Sequence, residues 1–387
     1  MKYPNAVAIT GFRRCGKSTL SISLFKNKKY YYVTLDDERF ININSKNLND
    51  ILIALYEIYG DIEYLIFDEI ENIKEFELFI SRLRDTKKII ITGSNSKLLS
   101  GELSKYLTGR HIDFELYPFS FREFLLFKKF NIRKDSIYST EEKSKIMKYI
   151  QEYFDIGGFP EAIKFGKLFL STIYSDIIYR DILYRYNIRK IDDIKKIALY
   201  IISNFSNEMS YNKFEDIFKM NNRTVKNYLD YIFTSYLVFK INPFSYKLKD
   251  QYKSFKVYCT DHALGYSIGF SPTIGIGKQM ENIVAIELKR RMSYDIDNKY
   301  QLYYWKDYNN REIDFLIYNS NEKNVYKLIN VSHISDYKEI NQREIKSLII
   351  GSRLLNCDNI EIITNNYEKN DGNIKYTPLW KWLLDND

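Results

Sequence analysis

The chain has 387 residues, 45% hydrophobic and 28% charged, a composition typical of globular proteins, and its length predicts two or three domains at roughly 100 to 200 residues each. Three separated cysteines and three histidines argue against a disulfide framework or a structural zinc site. No run of about 18 apolar residues or signal-peptide pattern occurs, so we expect a cytoplasmic protein, and the net charge of +8 permits a nucleic-acid partner without requiring one.

A phosphate-binding loop is predicted near the N-terminus. The apolar strand Ala6–Ile9 is followed by GFRRCGKST and a helix-like segment. This context suits the motif because the glycines let backbone N–H groups and a helix N-terminus face phosphates. We expect the loop to bind ATP or ADP, with Lys17 reaching the outer phosphates and Ser18 binding Mg²⁺, the alternative being a chance match. The loop residues are Gly11, Phe12, Arg13, Arg14, Cys15, Gly16, Lys17, Ser18 and Thr19.

A second apolar strand supplies two carboxylates. Tyr64–Phe67 is continuously apolar, as in strands buried on both faces of a parallel sheet, and it ends in Asp68 and Glu69. Ligands of parallel sheets bind at the carboxyl ends of the strands, so both acids are predicted to lie near the phosphates. We expect Asp68 to bind Mg²⁺ and Glu69 to act as the general base.

A third strand within residues 87–97 ends at Ser94 and Asn95, which are candidates for sensing the γ-phosphate. A serine that caps the following helix would explain the same residues. With Tyr30–Leu35 and Ile112–Leu116, five strands alternate with helical segments. This order predicts an α/β doubly wound domain with a parallel sheet.

Five segments together resemble a family of archaeal and bacterial AAA-like P-loop ATPases that carry a C-terminal restriction-endonuclease-like domain. They are GFRRCGKST, LIFDEIENI, ITGSNSKLLSGELSKYLTGRHIDFELYPFSFREFL, IGGFPEAI and IIYRDILYRYNI. The resemblance covers nearly the whole chain and implies an ATPase whose sheet has an extra strand between the phosphate loop and the catalytic strand.

The same resemblance implies roles for two further residues. Arg110 matches the position from which ring-forming relatives offer an arginine to the γ-phosphate of a neighbouring subunit, which implies a homo-oligomer. The alternative for Arg110 is a structural ion pair. Pro160, in GGFP, matches a position that contacts the adenine, and a helix stop would explain it equally well.

The middle of the chain is predicted to be helical and then basic. Apolar spacing from Phe121 to Tyr186 indicates a helical lid. Three further helices and a hairpin in FSYKLKDQYKSFKVYC then predict a winged helix. Residues 211–259 hold nine basic and four acidic side chains, which favours contact with double-stranded DNA, the alternative being a solvated charged face. The candidate DNA-binding residues are Arg223, Lys226, Lys247, Lys249, Lys253 and Lys256.

The C-terminal segment has the order of helix, antiparallel strands, helix and strand, which is the restriction-endonuclease-like arrangement. Active members bring a helix Glu, a strand-end Asp and an acid–lysine pair to magnesium. Glu281 and Asp314 stand at the first two places, whereas Asn330 and Ser332 stand at the third. The sequence therefore predicts a domain that does not cut DNA. The alternative for the two acids is structural, Glu281 at a helix start and Asp314 paired with Arg311 or a neighbour.

These observations predict an α/β P-loop ATPase core of the AAA-like type (1–118), a helical lid (119–190), a winged helix (191–268) and an α/β restriction-endonuclease-like domain (269–387). The predicted function is Mg²⁺-dependent ATP hydrolysis, associated with DNA, in which nucleotide state moves the winged-helix and C-terminal domains. Two alternatives remain: a signalling switch or protein scaffold that acts through the C-terminal domain without DNA, and an ATP-dependent nuclease.

Overall fold

The computed structural model describes residues 6–40, 43–96, 111–131, 139–269, 275–295, 297, 299–339 and 342–385. These residues form two compact units. The first contains the described residues up to Tyr117 together with Thr234–Tyr236, and the second contains the rest. Within the described ranges, no helix is both long enough and apolar enough to span a membrane.

The first unit is built on five parallel strands. They are β1 (Ala6–Gly11), β2 (Tyr30–Thr34), β3 (Tyr64–Asp68), β4 (Lys88–Gly93) and β5 (His111–Leu116). Their order in the sheet is β2-β3-β4-β1-β5. The five predicted strands and the parallel sheet are confirmed. Strand β4 lies between β1 and β3, which is the extra strand that the resemblance implied.

Helices cover both faces of this sheet. Helix α1 (Lys17–Leu24) packs on the face that carries Ile66 and Ile90, and its C-terminal Phe25 joins that core. Helices α2 (Leu48–Tyr59) and α3 (Phe76–Leu83) cover the opposite face. Burial on both faces explains why β3 and β4 read as continuous apolar runs.

A short return segment, Thr234–Tyr236, belongs to the first unit although its neighbours in sequence belong to the second. Tyr236 is 7% exposed and has a left-handed backbone with φ of 62°. Its hydroxyl hydrogen bonds to the Thr10 Oγ1 atom at 3.0 Å. Thr10 directly precedes the glycine that opens the phosphate loop, so this contact lies at the edge of the loop.

The second unit begins with helices, as predicted. They are α4 (Phe121–Phe127), α5 (Thr140–Ile156), α6 (Pro160–Phe165), α7 (Phe169–Asp176) and a π-helical segment, Ile177–Tyr184. The described residues between Phe121 and Tyr184 contain no strand, which confirms the helical prediction.

Three helices and a small antiparallel sheet follow. The sheet has the order β6-β8-β7. In chain order the elements are α8 (Ile191–Ser203), β6 (Glu208–Met209), α9 (Tyr211–Phe218), α10 (Asn222–Thr234), β7 (Val238–Ile241) and β8 (Phe255–Cys259).

The hairpin prediction for this region needs correction. The segment FSYKLKDQYKSFKVYC was expected to form both strands, but only its end is a strand, β8. The partner strand is β7, which lies earlier in the chain, and a short 3-10 helix, Leu248–Tyr252, lies between them. In the sequence, the apolar residues of β7 follow those of α10 with no clear break. The change from helix to strand between them was therefore not predicted.

The C-terminal part is a six-stranded mixed sheet with helices. Its strand order is β13-β14-β12-β11-β10-β9. In chain order the elements are α11 (His262–Ile268), α12 (Ile276–Ser293), β9 (Tyr300–Lys306), β10 (Glu312–Asn319), β11 (Asn324–Ser332), α13 (Gln342–Leu355), β12 (Ile360–Thr364), β13 (Lys369–Asp371), β14 (Ile374–Pro378) and α14 (Leu379–Leu384). The predicted elements of this region are all present, and α11, β13, β14 and α14 were not anticipated.

A buried aspartate, Asp261, joins two parts of the second unit. One carboxylate oxygen accepts the N–H of Leu264 at 2.9 Å and so caps α11, while the other accepts the N–H of Gly158 at 2.7 Å. Asp261 is 2% exposed. The carboxylate therefore satisfies two buried N–H groups, one of them in the GGFP turn.

We predict that Asp261→Ala lowers the free energy of unfolding of the second unit by about 2 to 4 kcal/mol, because it removes a helix cap and leaves a buried N–H without an acceptor. Chemical denaturation measures the change. Asp216→Ala, on the exposed side of α9, is the matched control and should change stability by less than about 0.5 kcal/mol. Equal stability of the two variants would contradict this role for Asp261.

Candidate functional site

The phosphate loop connects β1 to α1, and glycine is required at both of its ends. Gly11 has a φ of 136°, and a Cβ atom there would lie 2.0 Å from the carbonyl oxygen of Leu116. Gly16 has a φ of 105° at the position before α1. Both backbone conformations are disfavoured for residues with side chains, so the GxxxxGK spacing follows from the geometry of the loop.

The Lys17 side chain bends back over the phosphate loop and lies next to the Glu69 carboxylate. Its Nζ atom donates to the carbonyl oxygens of Gly11 and Phe12, each at 3.1 Å. The same atom is 3.5 Å from the Glu69 Oε1 atom, and the Lys17 side chain is 4% exposed. A buried ammonium and a predicted general base are therefore neighbours at the mouth of the loop.

The Asp68 carboxylate is the meeting point of three hydroxyl groups. Ser18 Oγ donates to its two oxygens at 3.0 and 2.9 Å, and Tyr32 donates from β2 at 2.8 Å. Thr92 Oγ1 donates from β4. Because side chains alternate along a strand, Asp68 points to the sheet face that α1 covers, and so do the two strand residues.

Glu69 directly follows β3 and has a left-handed backbone with φ of 54°. Its N–H donates to Thr92 Oγ1 at 2.9 Å, so Thr92 contacts both acids of the predicted pair. Thr92 is fully buried. The Thr92 hydroxyl therefore fixes the orientation of the Asp68 carboxylate and of the Glu69 backbone.

The predicted sensor residues are held by a third acid, Glu71. Its carboxylate accepts the N–H and hydroxyl of Ser94 at 3.1 Å and the N–H of Asn95 at 3.2 Å. The Ser94 N–H also donates to Glu69 Oε2 at 3.2 Å. The structure thus brings Ser94 and Asn95 to the same sheet edge as Asp68 and Glu69.

Sequence reasoning missed three residues of this site: Tyr32, Glu71 and Thr92. Thr92 is the last residue but one of β4, and Glu71 lies three residues after β3, so a position near a strand end was the available signal for these two, whereas Tyr32 lies within β2. Burial, together with the neighbouring Asp68 carboxylate, raises the pKa of Tyr32, so the phenol remains a proton donor. Burial also raises the pKa of the Cys15 thiol to about 11, which favours the neutral thiol over the thiolate.

The remaining predicted ATP-site residues are placed as follows. Arg13 lies 3.7 Å from Asp36, and the Thr19 side chain is exposed on α1. Pro160 is the first residue of α6 in the second unit, a position that suits a helix start. Arg110 lies outside the described residues.

Five of the six candidate DNA-binding residues are exposed: Arg223, Lys226, Lys247, Lys249 and Lys253. The prediction for the sixth residue, Lys256, is corrected. Its side chain is 3% exposed and is surrounded by Glu281, Glu312 and Asp314. A buried lysine that is bound by carboxylates has no access to a DNA phosphate. All five residues of β8 are buried, so Lys256 lies inside the second unit.

The structural alternatives for the C-terminal acids are also corrected. Glu281 is the sixth residue of α12, so it is not a helix-start carboxylate. Arg311 pairs with Asp307, and Asp314 therefore has a different partner, Lys256. Asn330 is buried and accepts the N–H of Asp314 through its side-chain oxygen at 3.1 Å.

Three family models match consecutive parts of the chain. An AAA domain matches residues 3–125, a domain of unknown function (DUF8612) matches residues 147–274, and a second one (DUF4143) matches residues 276–382. Together with the loop, the parallel sheet and the paired acids, these matches define the class. The chain belongs to the family of AAA-like P-loop ATPases that carry a C-terminal domain of unknown function.

Relatives extend along most of the chain. The uncharacterized protein MJ1544 of Methanocaldococcus jannaschii is 37% identical over 98% of this chain and 89% of its own length. An uncharacterized protein of Haemophilus influenzae is 27% identical over 86% of this chain and 87% of its own length. Among solved structures, the Walker-type ATPase PABY2304 of Pyrococcus abyssi is 12% identical, with a TM-score of 0.40, over 69% of this chain and 91% of that one.

We predict that Lys17→Ala weakens ATP binding about 10- to 100-fold, because the outer phosphates lose a charge-assisted contact. Titration with a fluorescent ATP analogue measures the affinity. Lys26→Ala removes an exposed lysine just after α1 and is the matched control. Unchanged affinity in the Lys17 variant would mean that this lysine does not face the nucleotide.

Proposed function

We propose that this protein binds ATP with Mg²⁺ and hydrolyses it to ADP and phosphate. The observation that carries the proposal is the Asp68 carboxylate, which contacts the Ser18 hydroxyl while Lys17 and Glu69 lie together beside it. Four side chains with the chemistry of phosphoryl transfer thus share one edge of a parallel sheet.

The donor set fits a magnesium ion. Ser18 and Asp68 offer hydroxyl and carboxylate oxygens, which are the hard ligands that Mg²⁺ prefers, alongside phosphate oxygens of the substrate. When bound, the ion would neutralise negative charge on the phosphate oxygens. Tyr32 and Thr92 hold the Asp68 carboxylate from the two neighbouring strands and so fix its orientation.

Each remaining residue has a separate task in this proposal. Lys17 leaves the loop carbonyls to bind the outer phosphates, and Glu69 accepts the proton of the attacking water. Glu71 positions the backbone of Ser94 and Asn95, which would sense the γ-phosphate. Arg110 would act on the γ-phosphate of a neighbouring subunit in a homo-oligomer, and Pro160 would contact the adenine.

We predict that Glu69→Gln still binds ATP and hydrolyses it at least about 100-fold more slowly, because the amide cannot accept the proton of water. Phosphate release measures the rate, and titration with a fluorescent ATP analogue measures binding. Glu57→Gln, at an exposed position of α2, is the control. Hydrolysis at the parental rate would show that Glu69 is not the general base.

A second proposal concerns DNA. The order of α8, β6, α9, α10, β7 and β8, with the sheet order β6-β8-β7, supports the interpretation of this region as a winged helix. Three exposed lysines, Lys247, Lys249 and Lys253, lie on the connection between β7 and β8, which is the wing in this arrangement. We propose that this wing contacts duplex phosphates and that nucleotide state moves the winged helix together with the C-terminal domain.

The DNA proposal predicts that neutralising the three wing lysines weakens duplex binding equally for all sequences. The slope of log affinity against log salt should become less steep by up to about 2.7, at roughly 0.9 per phosphate contact. A fluorescence-anisotropy titration at several salt concentrations measures both quantities, and ATP hydrolysis should persist. Removing Lys143, Lys145 and Lys148 from the exposed side of α5 is the charge-matched control.

The outcome of that titration separates the alternatives. If the wild-type protein does not bind duplex DNA at any salt concentration, the scaffold or signalling function is favoured. DNA cleavage in the presence of Mg²⁺ or Mn²⁺ that disappears in Asp314→Ala would favour the nuclease. We propose that no such cleavage occurs.

A further inference from the structure

An ammonium group lies at the centre of the carboxylates in the nuclease-like part of the second unit. The Lys256 Nζ atom is 3.0 Å from Glu281 Oε1, 2.6 Å from Glu312 Oε1 and 3.3 Å from Asp314 Oδ1. We call these four residues the Lys256 cluster. An ammonium has three N–H donors and here has three carboxylate acceptors, so its hydrogen-bonding capacity is fully used.

The acids of this cluster come from the elements that hold metal ligands in active restriction-endonuclease-like domains. Glu281 lies on α12, and Glu312 and Asp314 lie on β10. The lysine comes from outside that set, from β8 of the small sheet. β8 is the central strand of that sheet, and Lys256 pairs with Glu208 of β6 on one side and Ile241 of β7 on the other. The backbone of Lys256 is therefore held on both sides.

Neighbouring groups fix the carboxylates around the lysine. The Tyr258 hydroxyl donates to Glu281 Oε1 at 2.8 Å, and the Val331 N–H donates to Asp314 Oδ2 at 2.9 Å. Asn330, at the place of the expected third acid, binds the N–H of Asp314. Glu281 Oε1 thus accepts from both Tyr258 and Lys256, and Asp314 has a donor at each of its two oxygens.

Electrostatics keep the lysine charged. Burial by itself would lower the pKa of Lys256, but the carboxylates around it outweigh burial and raise that pKa well above its ordinary value. Burial, helped by the charge of Asp314, raises the pKa of Glu281 to about 7 although Lys256 opposes the shift. The acids therefore depend on the lysine for their counter-charge.

We propose that the Lys256 ammonium is the resident cation of this carboxylate site, so that the site takes no divalent metal ion. Among the described residues, no three acidic, histidine or cysteine side chains are arranged to hold a metal ion as they stand. This finding agrees with a site in which the carboxylates lie at hydrogen-bond distances around an ammonium group. The inference is independent of ATP hydrolysis, which concerns the first unit.

The test is a Mn²⁺ titration of the full-length, nucleotide-free protein, with free Mn²⁺ followed by electron paramagnetic resonance. Lys256→Met keeps the length of the side chain and removes its charge. We expect this variant to gain one Mn²⁺ site per chain, and the added change Asp314→Asn to weaken that site at least about tenfold. Lys306→Met, which removes a lysine whose ammonium pairs with Glu208, is the control and should gain no site.

A second measurement does not require the Lys256 variant to fold. The parental protein and its Asp314→Asn variant, both of which keep Lys256, should bind Mn²⁺ equally. A Mn²⁺ site that disappears in Asp314→Asn would overturn the proposal, because the carboxylates would then hold a metal ion beside the lysine. A folded Lys256→Met protein that gains no Mn²⁺ site would overturn it as well.

Thermal unfolding gives a third readout. Lys256→Met should lower the Tm, because the three carboxylates around it lose their counter-charge, and Mn²⁺ should restore part of the loss. The Tm of the parental protein should not respond to Mn²⁺ in the absence of nucleotide. A parental Tm that rises with Mn²⁺, with the rise abolished by Asp314→Asn, would contradict a resident lysine.

Discussion

The candidate nucleotide site depends on one carboxylate at the end of one strand. Asp68 accepts hydrogen bonds from hydroxyl groups of α1 and of both strands that flank β3, so it links the phosphate loop to the sheet. A buried carboxylate needs such donors, because removal from water is costly unless hydrogen bonds replace the lost solvent. The same need explains why Thr92 and Tyr32 lie on the sheet face that α1 covers. This single requirement therefore positions the phosphate loop, the end of β3 and the candidate magnesium ligands.

Much of the fold could be predicted because local patterns and fold rules agree. The strands of the first unit read as continuous apolar runs since helices cover both faces, and each strand was located within one or two residues. The helices of the second unit followed from apolar spacing. The change from α10 to β7 could not be predicted, because the three residues between them, Ser235, Tyr236 and Leu237, include no glycine or proline that would indicate a turn. Register between distant segments, such as β7 with β8, is set by tertiary packing.

The site was predictable only where one short segment carries the chemistry. Lys17, Ser18, Asp68 and Glu69 each belong to a motif whose spacing fixes its geometry. Tyr32 is one of three consecutive tyrosines, and only the register of β2 on β3 shows which of them faces Asp68. Lys256 was misassigned for a related reason: four lysines in ten residues look alike in sequence, but one lies in a buried strand and the others precede it. Charge counted along a chain does not reveal which charges have partners.

The return segment Thr234–Tyr236 has a consequence for how the first unit can be isolated. A fragment that stops at Tyr117 would contain the five strands and the loop but not Tyr236, whose ring fills a buried position and whose hydroxyl bonds to Thr10. Such a fragment would have a cavity beside β1, the strand that leads into GFRRCGKST. The first unit is thus discontinuous in sequence, and a fragment that contains all of it needs the tyrosine-bearing segment as well as the first 117 residues.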